Sequence, residues 1–73
     1  MKLTDAMLMK MYKIKKIKIS DPKLNLRIRE LGFFEGGEIK LLKFSPLKKT
    51  VLVEIFNTVF AIKKEIANQI FVE

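Results

Sequence analysis

The sequence predicts a mainly β fold: a small closed or partly open β-barrel of about five strands, with one short helix inserted after the first. Three observations carry this. Five short runs rich in β-branched and aromatic residues are spread over only 73 residues. Just one segment, between the first two runs, carries a full set of helix start and stop signals. Two of the runs contain doublets that break the period of two, so these strands must bend, which suits a barrel better than a flat sheet. Closure also protects the edges of a small sheet. No repeat or low-complexity linker interrupts the chain, and residues 1–73 are expected to form one domain.

In chain order, Leu3-Thr4-Asp5-Ala6 can open a brief helical turn with Thr4 or Asp5 as its cap. From Tyr12 to Ile19 the run YKIKKIKI alternates apolar and Lys residues, but the adjacent Lys15 and Lys16 flip the phase. Tyr12 and Ile14 can share a face with Ile17 and Ile19 only through a bulge. SDPKLNLRIRELG then reads as the helix: Ser20 or Asp21 as N-cap, Pro22 in the first turn, Leu24, Ile28 and Leu31 on one face, and Gly32 as a left-handed stop. Gly36 and Gly37 reverse the chain into the strand GEIKLLKF, where Leu41-Leu42 marks a second bulge. After the loop SPLKK, TVLVEIF and VFAIK flank a hairpin turn placed at Asn57-Thr58. That register puts Val51, Val53, Ile55, Phe60 and Ile62 on the core face and Leu52, Glu54, Phe56, Val59 and Ala61 on the other. KKEIANQ can make one helical turn, and IFV closes the chain as a last strand.

The composition narrows the chemistry. Cysteine and histidine are both absent, which removes the commonest transition-metal ligands, the usual general base and the usual nucleophile–base pairs. The acids are scattered singly, so no Mg²⁺ or Ca²⁺ cage is in view; no cofactor, metal or catalytic residue is assigned, and an enzyme is not expected. No apolar run approaches the roughly 20 residues of a bilayer span, and the N-terminus has no signal-peptide core, so a cytoplasmic location without membrane insertion is expected. The net charge of +7 lies in the first segment, where nine Lys/Arg face only Asp5 and Asp21, while residues 30–73 hold six of each sign. Such asymmetry suits an anionic partner, although solvated outer faces of Lys-rich strands give the same pattern.

RELGFFEGGE holds every glycine of the chain. Its glycines follow a helix and lead into a strand, the reverse of a phosphate loop, and neither phosphate-loop spacing is present. They are punctuation. Met7, Met9 and Met11 recur at every second residue, a spacing that could suit Cu(I), but adaptable apolar packing explains them more simply. The better candidates for binding are apolar: Phe34, at a turn where Phe33 can already serve the core, and Phe56 and Val59, at the hairpin tip on the face opposite the core. The alternative is that a small barrel folds these side chains onto its own edges. Lys13, Lys15 and Lys16 add positive charge, and with them a nucleic-acid-binding barrel is the second reading, though Tyr12 is the only aromatic among these lysines.

From about residue 20 to the end the chain resembles the FeoA family, the small cytoplasmic accessory proteins of bacterial ferrous iron transport. The resemblance lies in the order of Arg27, Leu31, Gly32, Phe33, Gly36, Ile39, Pro46, Leu47, Ile62, Lys63, Ala67, Ile70 and Val72, with a degenerate match upstream from Leu3. The chain departs from the family pattern where a Pro-Gly is Leu8-Met9, a turn Pro is Glu35, a loop Gly is Lys48 and the hairpin Gly is Asn57. The resemblance implies an SH3-like β-barrel that contacts the cytoplasmic part of FeoB, a membrane GTPase transporter, and modulates uptake. The related domain of metal-dependent repressors accompanies DNA-binding helices for which this chain has no room.

Overall fold

The computed structural model describes residues 1–73 and contains five strands: β1 (Met11–Ile17), β2 (Glu38–Phe44), β3 (Thr50–Ile55), β4 (Thr58–Lys63) and β5 (Ile70–Val72). They form one antiparallel sheet in the order β4-β3-β2-β1-β5. Helix α1 (Pro22–Glu30) follows β1, and the single turn α2 (Lys64–Ala67) carries the chain from β4 to β5. Closure depends on the bends that the broken alternation requires. The register of β1 shifts between Ile14 and Lys16, so its first half pairs with β2 and its second half with β5. A second shift lies between Leu41 and Lys43 in β2.

The bulge in β1 lets Tyr12, Ile14, Ile17 and Ile19 all enter one core with Phe33, Ile39, Leu41, Val51, Val53, Ile55, Ile62, Ile70 and Val72. No polar side chain is buried. Fully burying each of the larger side chains is worth about 1.5–3 kcal/mol. That burial, and not helix propensity, must hold a nine-residue α1 in place. Asp21 caps α1 by accepting from the Lys23 and Leu24 amides at 3.0 and 3.4 Å, with Pro22 at its first position. Of the face Leu24, Ile28 and Leu31, only Ile28 is buried; Leu24 is partly covered and Leu31, the C-cap, is half-exposed.

Three expectations need correction. The hairpin turn is Phe56-Asn57, not Asn57-Thr58, since Ile55 pairs with Thr58 and both turn residues have positive φ, +49° and +62°. Moving a two-residue turn by one position shifts strand pairing by two, which preserves parity, so the core and outer faces of β3 and β4 stay as assigned. The N-terminal 3₁₀ turn (Leu3–Asp5) has no side-chain cap; Thr4 Oγ1 instead donates to Asn68 Oδ1 at 2.6 Å, tying the turn to the end of α2. Met7 and Met9 are largely exposed and Met11 nearly half so, rather than packed as gap-fillers, because Leu3 and Tyr12 already fill the core beside them.

Candidate partner-binding face

Two turns place the aromatic candidates. At the end of α1, Gly32 adopts φ +113°. Its amide donates to Arg29 O at 3.0 Å and the Phe33 amide to Ile28 O at 3.2 Å, the paired bonds of a Schellman stop. That geometry drives Phe33 into the core, edge-on to Phe60 with ring centroids 5.6 Å apart. Phe34 is left outside. Residues 34–37 then form a tight turn closed by Gly37 N–H to Phe34 O at 3.0 Å, with Gly36 at φ +87° in the position where a type II turn needs a left-handed residue. Gly36 N–H donates to Ile14 O and Gly37 O accepts from the Ile14 amide, both at 2.8 Å, which docks the turn onto β1. Gly37 has no positive φ; it starts the pairing.

The hairpin tip meets this turn. Phe56 and Phe34 face each other with centroids 6.1 Å apart. A Cβ on Gly32 would stand 3.3 Å from the Phe56 ring, so that ring covers the glycine closely. Both rings nonetheless remain open to solvent, Phe34 at 39% and Phe56 at 70%. Across the outer face of the sheet the register aligns Met11, Lys40, Glu54 and Val59 in one row. Lys40 and Glu54 form an ion pair at 3.7 Å in its middle, flanked by Met11 (47% exposed) and Val59 (53% exposed). Met11 and Phe56 share a shallow cleft of about 240 Å³ with Glu38, Glu54 and Asn57. Of the lysines, Lys13 lies in the next row opposite Glu38. Lys15 and Lys16 are exposed at the bulge where β1 turns to β5.

A polar strut fixes the angle of the Phe34 turn. Arg29 donates through both terminal nitrogens to the Glu35 carboxylate at 2.6 and 3.0 Å and through Nε to Asn25 Oδ1 at 2.6 Å, while Asn25 Nδ2 donates to Ile19 O at 2.9 Å. The hydrogen bonds from Arg29 hold the Glu35 carboxyl down to about 2, and the same pairing raises Arg29 above its ordinary value. No three acidic side chains converge on a point that could hold a metal ion. No helix is long and apolar enough to cross a membrane. Tyr12, the one aromatic among the β1 lysines, is buried with its hydroxyl accepting from the Met7 amide at 3.0 Å, so it offers no surface on which a base could stack.

The residue that sequence reading missed on this face is Met11. The signal was there: in an alternating strand, Met11 has the parity of Lys13, opposite to Tyr12 and Ile14.

The fold is a small SH3-like barrel with an exposed aromatic and methionine face. The sequence matches the FeoA domain over residues 1–73, and the chain belongs to the FeoA family, whose members are small domains associated with ferrous iron transport and not a known enzyme class. It is similar to the solution structure of iron(II) transport protein A from Clostridium thermocellum, with 29% identity and a TM-score of 0.88 over 100% of this chain and 44% of that one. It thus spans under half of that relative's length. A FeoA protein from Chlorobium tepidum superposes with a TM-score of 0.91 at 23% identity, covering 100% of this chain and 69% of that one. A zinc complex of FeoA from Stenotrophomonas maltophilia, described as a prokaryotic SH3 domain protein, gives 0.82 at 25% identity, covering 100% and 89%. No curated protein sequence matches the chain.

The family frame explains three backbone oddities. Met9, Lys48 and Asn57, which stand where the family pattern carries glycine, have φ of +66°, +58° and +62°. The loops keep glycine's conformation without glycine.

Proposed function

We propose that this chain is a non-enzymatic, cytoplasmic accessory module of a ferrous iron transporter, acting as one domain through contact with the cytoplasmic part of a FeoB-type membrane GTPase. Phe34, Phe56 and Val59 form the contact, with Met11 beside them and Lys13 at the rim; Lys15 and Lys16 contribute positive charge. The observation that carries this reading is Phe56. It is held 70% exposed at φ +49°, in a turn position where glycine or asparagine would fit without strain. A bulky L-residue in the left-handed region is disfavoured by about 1–2 kcal/mol, and such a cost at an exposed ring points to recognition. The modulating role follows the description of the Stenotrophomonas relative as a candidate activating factor of ferrous iron transport. Titration of the chain with the soluble cytoplasmic domain of the cognate transporter tests the reading: saturable binding that weakens on Phe56→Ala supports it, and an absence of binding removes it. Nucleic acid binding is the weaker alternative, because no exposed aromatic accompanies the β1 lysines other than Phe71, half-covered beneath Lys18.

A further inference from the structure

We infer that the free edge of β4 takes up an extended, acidic peptide segment as a sixth strand. The two ends of the sheet differ. The outer side of β5 is already occupied: the Val72 amide donates to Met1 O at 2.8 Å, the Met1 amino group donates to Val72 O at 3.0 Å, and Lys2 bridges Phe71. The outer side of β4 has no such cover, since β4 pairs with β3 alone.

Which backbone groups are free follows from the hairpin. In a two-residue hairpin the closing pair, here Ile55 and Thr58, exchanges hydrogen bonds, and bonded and non-bonded pairs then alternate along the ladder. Val53–Phe60 and Val51–Ile62 are bonded, so the amides of Val59, Ala61 and Lys63 point away from β3. The Lys64 amide donating to Lys49 O at 2.9 Å continues the same alternation. No hydrogen bond outside the ladder reaches Val59 or Ala61. These groups sit at the spacing of an incoming strand, and the edge lacks the proline or bulge that would refuse one.

The surroundings specify the occupant. Beside this edge runs a groove of about 530 Å³ between β4 and α1, with Leu24, Ile28, Leu31, Ala61, Ile62 and Ile66 as its apolar lining. Alternate side chains of an added strand would enter it. At the Lys63 end, the chain gathers Lys48, Lys49, Lys63 and Lys64 around an adjoining cavity of about 500 Å³, against which Glu65 is the single acid. An added strand would therefore be apolar at alternate positions along the groove and acidic where it passes these lysines. A second copy of this chain is a poor occupant, because β4 carries no acid to meet the four lysines and two molecules of net charge +7 repel. The site uses the backbone amide of Val59, whose side chain belongs to the aromatic face, while its groove and its lysines lie outside that face.

The test uses the full chain and a synthetic peptide of about twelve residues, alternating valine and threonine with glutamates at one end, in amide hydrogen-exchange and binding titrations. The expected result is slowing of exchange at Val59 and Ala61 by about tenfold or more, lost when the glutamates are replaced by lysines or when prolines interrupt the peptide. Ala61→Pro removes one outward donor without touching the β3 ladder and should weaken binding by about tenfold. Leu31→Glu, at a half-exposed groove position, should do the same while leaving the circular dichroism unchanged. The proposal is overturned if the peptide gives no protection at Val59 and Ala61, or if they become protected with rising protein concentration in its absence, which would assign the edge to a second copy.

Discussion

Replacing Phe56 by asparagine separates structural from functional explanations of the hairpin tip. The ring sits on Gly32 and faces Phe34, yet 70% of the residue is open to solvent. If the buried remainder amounts to about 60 Å² of apolar surface, its loss costs about 1.5 kcal/mol. Against this, φ of +49° at a bulky residue costs about 1–2 kcal/mol, most of which asparagine, tolerant of the left-handed region, gives back. The two effects nearly cancel. Phe56→Asn should therefore leave stability within about 1 kcal/mol of the parent, read as a urea midpoint with unchanged slope. Binding to the transporter domain should fall by about tenfold or more, since large exposed aromatics dominate such contacts. Destabilisation beyond about 3 kcal/mol would refute the reasoning, because the ring would then be a core element and its exposure would carry no functional meaning.

Gly32→Ala should destabilise by about 2 kcal/mol in the same assay, since a Cβ there meets Ile55 Cγ2 at 3.2 Å and the backbone lies at φ +113°. Met9→Gly and Lys48→Gly should each stabilise by about 0.5–1 kcal/mol, left-handed strain relieved outweighing the entropy of glycine. Glu35→Gln should lower the urea midpoint slightly at neutral pH, the pair being solvent-screened, and the difference should vanish in acid. The sign follows from the depressed carboxyl: its contribution is complete above the ordinary value of 4.5 and is lost as pH falls through about 2.

Much of the barrel was legible because its irregularities are violations of a simple period. Lys15-Lys16 and Leu41-Leu42 each break a two-residue alternation, and a buried face survives such a break only through a bulge. The helix stop at Gly32 was legible for the same local reason: only one residue type suits its backbone. The hairpin turn was misplaced because Phe56 is an improbable residue for its position, and local propensity offers no reason to put it there. Its placement there is what marks the tip as a candidate site. The pairing of Phe34 with Phe56 was out of reach, since the two meet only after β2 and β3 have folded between them. Charge misled in a related way. Counting by sequence put the excess in residues 1–29, whereas folding gathers Lys48 and Lys49 from the β2–β3 loop with Lys63 and Lys64 from the β4–α2 junction into a second basic region.

The most direct measurement is calorimetric titration of this chain into the purified cytoplasmic domain of its cognate FeoB-type transporter, run in parallel with Phe34→Ala, Phe56→Asn and Lys15→Gln. The account predicts saturable binding by the parent, loss of about tenfold or more for either aromatic variant, and a small, salt-dependent change for Lys15→Gln. Equal affinity for the parent and both aromatic variants would contradict it.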